Sequence, residues 1–190
     1  MPVSCTHLGA FDMLVRAKWL FILVGNNNTG KTTLQKKLIR LLSDDNRDIR
    51  LKCNCIFDIT HPLLIRKLRT FSIGNRSIQE KLDEYKSVEK FFSIHFQEAD
   101  LCFISSHLVA RDVERMIFEG NKRFYNVCGV FLGNSIEKDG EDNAELSILS
   151  WDERLLADNE TTTIVEQWDD QLQSVASSIV GLLIERSKGW

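Results

Sequence analysis

The sequence predicts an α/β protein: a three-layer α/β/α sandwich around a mostly parallel sheet of about five strands, formed by one domain over residues 1–190. Three observations carry this. Short apolar runs alternate along the chain with stretches of helical period, and such alternation forces parallel pairing through right-handed crossovers. The run 20–24, Leu-Phe-Ile-Leu-Val, is continuously apolar, as a strand buried on both faces requires. It breaks at Gly25 into a polar loop, after which Leu34, Leu38, Leu41 and Leu42 recur at helical spacing.

Each element follows in order. Phe11, Leu14 and Val15 predict a short leading helix ahead of the 20–24 strand. The helix behind Lys31 ends at the turn cluster Ser43-Asp44-Asp45-Asn46, and residues 49–59 predict a second strand with Asp58 at its end. Thr60-His61-Pro62 opens a helix, with proline near its first turn, that Leu63, Leu64, Lys67 and Leu68 continue toward a loop around Gly74. A longer helix starts near Ser77, which forms a capping-box pattern with Glu80, and it carries Ile78, Leu82, Tyr85, Val88 and Phe92 on one face. That stripe is read as core. Residues 101–104 give a third strand, ending in Ser105-Ser106-His107, and a charged helix follows through Arg111, Asp112, Glu114 and Arg115. Residues 126–132 give the fourth strand. The polar, acidic stretch 133–143 predicts a mobile loop and 150–158 a short helix, so 133–159 is expected to act as a lid. The β-branched run 161–165 predicts the last strand, and Leu172, Val175, Ala176, Ile179 and Leu183 a closing amphipathic helix.

Composition narrows the function. At 190 residues, 43% of them hydrophobic, the chain has ample material for one core. A net charge of -3 gives no basic surplus for nucleic acid, although Arg47, Arg50, Lys52, Arg66, Lys67 and Arg69 gather in one region. No apolar run approaches the ~18 residues of a membrane span, and Asp12, Arg16 and Lys18 interrupt any leader, so a cytoplasmic protein is expected. Five scattered cysteines read as buried reduced thiols rather than disulfides, and Cys53 and Cys55 lack a second pair to complete a metal site.

The chemistry concentrates in one loop. Gly25, Asn26, Asn27, Asn28, Thr29, Gly30, Lys31 and Thr32 match GxxxxGK[ST] in full, between a buried strand and a helix, with Thr33 completing the first turn. Glycines at both ends let the backbone wrap an anion, and the helix N-terminus offers amides and a positive dipole end. Lys31 reaches the terminal phosphates of a nucleoside triphosphate, and the Thr32 hydroxyl is placed to ligate Mg²⁺. Ligands of an open parallel sheet sit at the carboxyl ends of its strands. This rule adds Asp58, as Mg²⁺ organiser or proton acceptor, with a helix cap as its structural alternative. It also adds His107, as substrate contact or base, with a hydrogen-bonded structural role as its alternative. Arg66, Arg69, Arg111 and Arg115 are candidate anion clamps or simply solvated helix faces.

This order of parts resembles the P-loop NTPase superfamily, and within it small-molecule kinases such as gluconate and adenylylsulfate kinases. The resemblance implies the P-loop NTPase fold, ATP and Mg²⁺ as cofactors, and transfer of the γ-phosphoryl group to a small metabolite. Asp58 followed by His61-Pro62 and Arg66 resembles the acidic strand end and basic helix that hold the acceptor, which places the acceptor pocket among residues 60–97. Ser105-Ser106-His107 with Arg111 and Arg115 resembles the third strand and its helix, and Arg154 is the lid arginine expected over the transferring group. No DxxG follows the third strand, and Asn134-Ser135-Ile136-Glu137 stands where a guanine-reading NKxD belongs, so ATP is expected over GTP. Ser105 and Ser106 stand where many P-loop ATPases carry an acid, and the lid is poor in arginine. Those departures support the alternative, a nucleotide-binding switch or ATPase subunit that acts on a protein partner or a second copy of itself, with Phe91, Phe92 and Phe96 as a candidate contact patch.

Overall fold

Strand β1 (Lys18–Val24) occupies the interior of a six-stranded sheet, which is why its sequence carries no polar face. The other strands are β2 (Cys55–Asp58), β3 (Thr70–Gly74), β4 (Leu101–Ser106), β5 (Tyr125–Leu132) and β6 (Glu153–Ala157), in the order β2-β3-β4-β1-β5-β6. Every neighbouring pair is parallel except β2 with β3. The computed structural model describes residues 18–43, 51, 55–133, 140–157, 159 and 164–188. The expected leading helix and the turn at 44–46 lie outside them.

Among the described residues, six α-helices connect or flank the strands: α1 (Lys31–Ser43), α2 (Leu82–Tyr85), α3 (Val88–Lys90), α4 (Ala110–Lys122), α5 (Gly140–Ser147) and α6 (Val165–Ser187). Side chains alternate across the sheet and build two cores. Trp19, Phe21 and Leu23 pack with Leu34, Leu38 and Leu42 of α1 and with Leu172, Ala176 and Ile179 of α6. Leu20, Ile22 and Val24 pack on the opposite face with Tyr85, Phe91, Val113, Met116 and Leu146. Each fully buried large apolar side chain contributes about 1.5–3 kcal/mol. Lys37, almost fully buried on α1, holds α6 in place through Asp169 at 2.8 Å.

Several expectations need correction. Residues 62–67 form successive turns rather than a helix, pinned by Leu64 N and Ile65 N to the His61 carbonyl at 3.0 Å. Behind them β3 appears where a loop was expected, and it turns β2 into an antiparallel edge strand. The long helix expected from Ser77 is broken: Lys86 takes φ 64 after α2, and Ser87 caps α3 by accepting the Lys90 amide. Part of the expected lid is regular structure, since 140–147 is helical and 153–157 is a strand paired with β5, not a helix. Asp152 fixes the entry of that strand by accepting the Val127 amide at 2.7 Å. Of the expected last strand, 161–163 lie outside the described residues, Ile164 precedes α6, and Val165 begins it. Phe91 and Phe92 are 2% and 3% exposed and Phe96 packs against them, so this trio belongs to the core and offers no contact patch. No helix among the described residues is long and apolar enough to cross a membrane.

Candidate functional site

At the carboxyl edge of the sheet, the Gly25 amide donates to the Ser106 carbonyl at 3.1 Å, tying the exit of β1 to the end of β4. The chain then turns back on itself. Asn28 and Gly30 have φ 65 and φ 97, two left-handed residues in three, and asparagine and glycine are the types that adopt this conformation most readily. Gly30 is doubly constrained, because a Cβ there would lie 2.9 Å from Leu172 Cδ1 and 3.2 Å from the Trp168 ring. Thr29 Oγ1 donates to the Asn26 carbonyl at 2.9 Å, and buried Asn159 braces the loop by donating from Nδ2 to the Thr29 carbonyl at 3.1 Å. The same side chain accepts the Gly133 amide at 2.6 Å, so the loop is coupled to the end of β5. Leu34 N to the Gly30 carbonyl, 2.8 Å, is the first intrahelical bond of α1, so the amides of Lys31, Thr32 and Thr33 precede the helical ladder.

Lys31 is only 8% exposed, and its Nζ folds back to donate to the carbonyls of Gly25 and, at 2.7 Å, Asn26. Burial lowers its pKa from 10.5 to about 8, with the negative charge of Glu80 acting in the opposite direction. Among the described residues this buried ammonium is held by neutral carbonyls and makes no ion pair, which suits it to an incoming anion. The loop opens on a cavity of about 400 Å³, lined by residues 27–33 together with Asn75, Arg76, Glu80 and Trp168. That volume falls within the usual range for small-molecule sites.

The far wall of this cavity comes from the turn after β3. Ser77 Oγ accepts the Glu80 amide at 3.2 Å, which realises half of the predicted capping box. The Glu80 carboxylate meets His107 Nε2 at 3.3 Å and Arg76 Nη1 at 3.6 Å. On α1, buried Gln35 joins this wall to the floor, donating to the Gly74 carbonyl and to Ser105 Oγ, both at 3.2 Å.

No family model, no curated protein and no solved structure matches this chain. The assignment of the site therefore rests on its own geometry.

The structure brings residues 25–33 and, through Glu80, His107 to one place. It does not bring Asp58. Because β2 runs antiparallel, Asp58 pairs with Thr70 at the start of β3, which puts it exposed at the opposite sheet edge from the loop. Arg66 and Arg69 share that remote edge, where Thr60 N and His61 N bond the carbonyl of Leu42 near the far end of α1. Arg154 lies mid-strand in β6, donating to the Ser147 carbonyl at 2.7 Å and lining a separate apolar groove between α5 and β6. Arg111 and Arg115 line another cavity, near α3, where Arg115 is paired with Glu89. Of the acceptor region 60–97, the part that reaches the loop is the turn at 75–80.

The sequence reading missed Asn75, Arg76, Trp168 and Asn159, and saw Glu80 only as a capping partner. The available signal was the alternation Phe71-Ser72-Ile73 before Gly74, which makes Asn75 and Arg76 strand-end residues.

Proposed function

We propose that this chain adopts the P-loop NTPase fold, binds Mg²⁺–ATP in the 25–33 loop and transfers the γ-phosphoryl group to a small acceptor. One observation carries the reading: a full GxxxxGKT segment at the carboxyl edge of the sheet wraps a cavity into which a buried Lys31, held by backbone carbonyls, and the N-terminus of α1 converge. A triphosphate replaces the two carbonyls now holding Lys31 with charge-assisted partners, which are roughly twice as strong as neutral ones. Amides of the first turn of α1 add the partial positive charge of the helix end. Arg76 is the second cation on the cavity wall, and it takes the role expected of Arg154 in balancing phosphate charge.

Oxygen donors on the cavity lining, from asparagine and threonine side chains and the Glu80 carboxylate, suit a hard cation, and exposed Thr32 at the start of α1 is the residue that would hold Mg²⁺. When bound there, Mg²⁺ would supply positive charge against the phosphates, with Thr32 as the residue holding it. Trp168, an indole at the rim beside Gly30, supplies an apolar surface that excludes water from the phosphates.

A second reading, a nucleotide-controlled switch, is favoured by the contact of Leu172 and Trp168 with Gly30, which couples loop occupancy to α6, the longest helix among the described residues. ADP release from Mg²⁺–ATP, with and without a pool of small metabolites, separates the two. Release that requires the pool and disappears in Lys31→Ala identifies the phosphotransferase. Binding without pool-dependent release moves the assignment to the switch.

A further inference from the structure

Glu80 is the one carboxylate among the described residues lining the cavity that holds the loop. We propose that Glu80 accepts the proton of the attacking nucleophile and that His107 is the residue positioning it, an inference that rests on the ATP reading above.

An i,i+4 pair such as Arg76–Glu80 is by itself a surface feature of little energetic weight. Glu80 is more than that, because three separate elements fix it. Its own amide is capped by fully buried Ser77 in the turn after β3. Its Oε1 meets His107 Nε2, at the end of β4. A carboxylate only accepts, so in this contact His107 donates from Nε2. His107 is in turn held by its amide, which donates to Gln79 Oε1 at 3.4 Å, while Gln79 Nε2 donates to Asp112 Oδ2 of α4 at 2.8 Å. The chain α4–Gln79–His107–Glu80 aims one carboxylate at the cavity containing Lys31.

Oε2 faces Arg76 instead. A triphosphate offers that guanidinium a bidentate anion, and the exchange leaves Oε2 open toward the nucleophile. In the reaction, the oxygen of water or of an acceptor hydroxyl forms a bond to the γ-phosphorus. The bond from that phosphorus to the β,γ-bridging oxygen breaks, and its electron pair stays on ADP. The proton of the nucleophile moves to Glu80 and then to solvent.

The test uses the full chain with Mg²⁺–ATP, calorimetry for binding, and ADP formation in water and with the metabolite pool. Glu80→Gln is expected to bind ATP within about threefold of wild type while turnover falls on the order of 100-fold or more, the range for loss of a general base. His107→Ala is expected to lower kcat about tenfold at unchanged KM, and His107→Gln, which can still donate to Oε1, to recover part of it. Circular dichroism melts check that each variant is folded. Wild-type turnover in Glu80→Gln overturns the proposal, as does a loss of affinity equal to the loss of rate. ATP binding by the wild type with no turnover in either medium overturns it while leaving the nucleotide site standing. Absence of ATP binding in the wild type removes both readings.

Discussion

Replacing Lys31 by methionine keeps most of the side-chain stem and deletes the buried charge. In the folded chain, burial lowers the pKa of this ammonium from 10.5 to about 8. Folding therefore expels a proton that the unfolded chain still holds between those values, so the stability of the nucleotide-free protein rises with pH across that window. At ~1.4 kcal/mol per tenfold, the drop corresponds to a penalty of about 3 kcal/mol at pH 7, shrinking to about 1 kcal/mol at pH 10. Urea unfolding of wild type and Lys31→Met at both pH values isolates this one group, since all other titrations are shared. The wild type is expected to gain about 2 kcal/mol on the variant between pH 7 and pH 10. Saturating Mg²⁺–ATP is expected to remove that gain, because phosphate oxygens then favour the charged form. A difference that stays flat with pH, or one that moves against the wild type, refutes the reasoning: it would mean that the carbonyls of Gly25 and Asn26 fully compensate the ammonium.

Two further perturbations probe the scaffold of the loop. Gly30→Ala places a Cβ in a left-handed residue and against Leu172 and Trp168. Its expected cost is about 2–3 kcal/mol, a fall in melting temperature of roughly 5–10 °C for a chain of this size, together with loss of ATP affinity. Asn159→Ala strands the Thr29 carbonyl and the Gly133 amide. About 2 kcal/mol of destabilisation is expected, with faster amide hydrogen exchange around residues 29–33 and little change in α4, a pattern read by mass spectrometry.

The loop and its flanks were legible because strand burial, glycine punctuation and the 3.6-residue period all agree between residues 20 and 42. Asp58 shows where such reading stops. Its strand end is real, yet nothing local specifies that β2 runs antiparallel, and that direction alone carries the carboxylate to the wrong edge. The same omission hid the true wall of the cavity. Strand β3 is five residues long, with buried Ser72 inside it and basic residues ahead of it, so its apolar signal is weak. Strand β6 misled in another way: Glu153 to Leu156 alternate between half-buried and exposed on an edge strand, and a short mixed segment of that kind reads equally well as a helical turn. Arginines were the least legible class. Arg66, Arg111, Arg115 and Arg154 all have the chemistry of an anion clamp, but the fold distributes them over three other places, while Arg76 reaches the cavity through a tertiary turn.

The most direct test of the central claim is calorimetric titration of the full chain with Mg²⁺–ATP, beside Lys31→Ala. One site per chain, with affinity lost in the variant while its fold persists, is the predicted result. Equal affinity in the two proteins, or no heat of binding in the wild type, would contradict the assignment of the 25–33 loop as a triphosphate site.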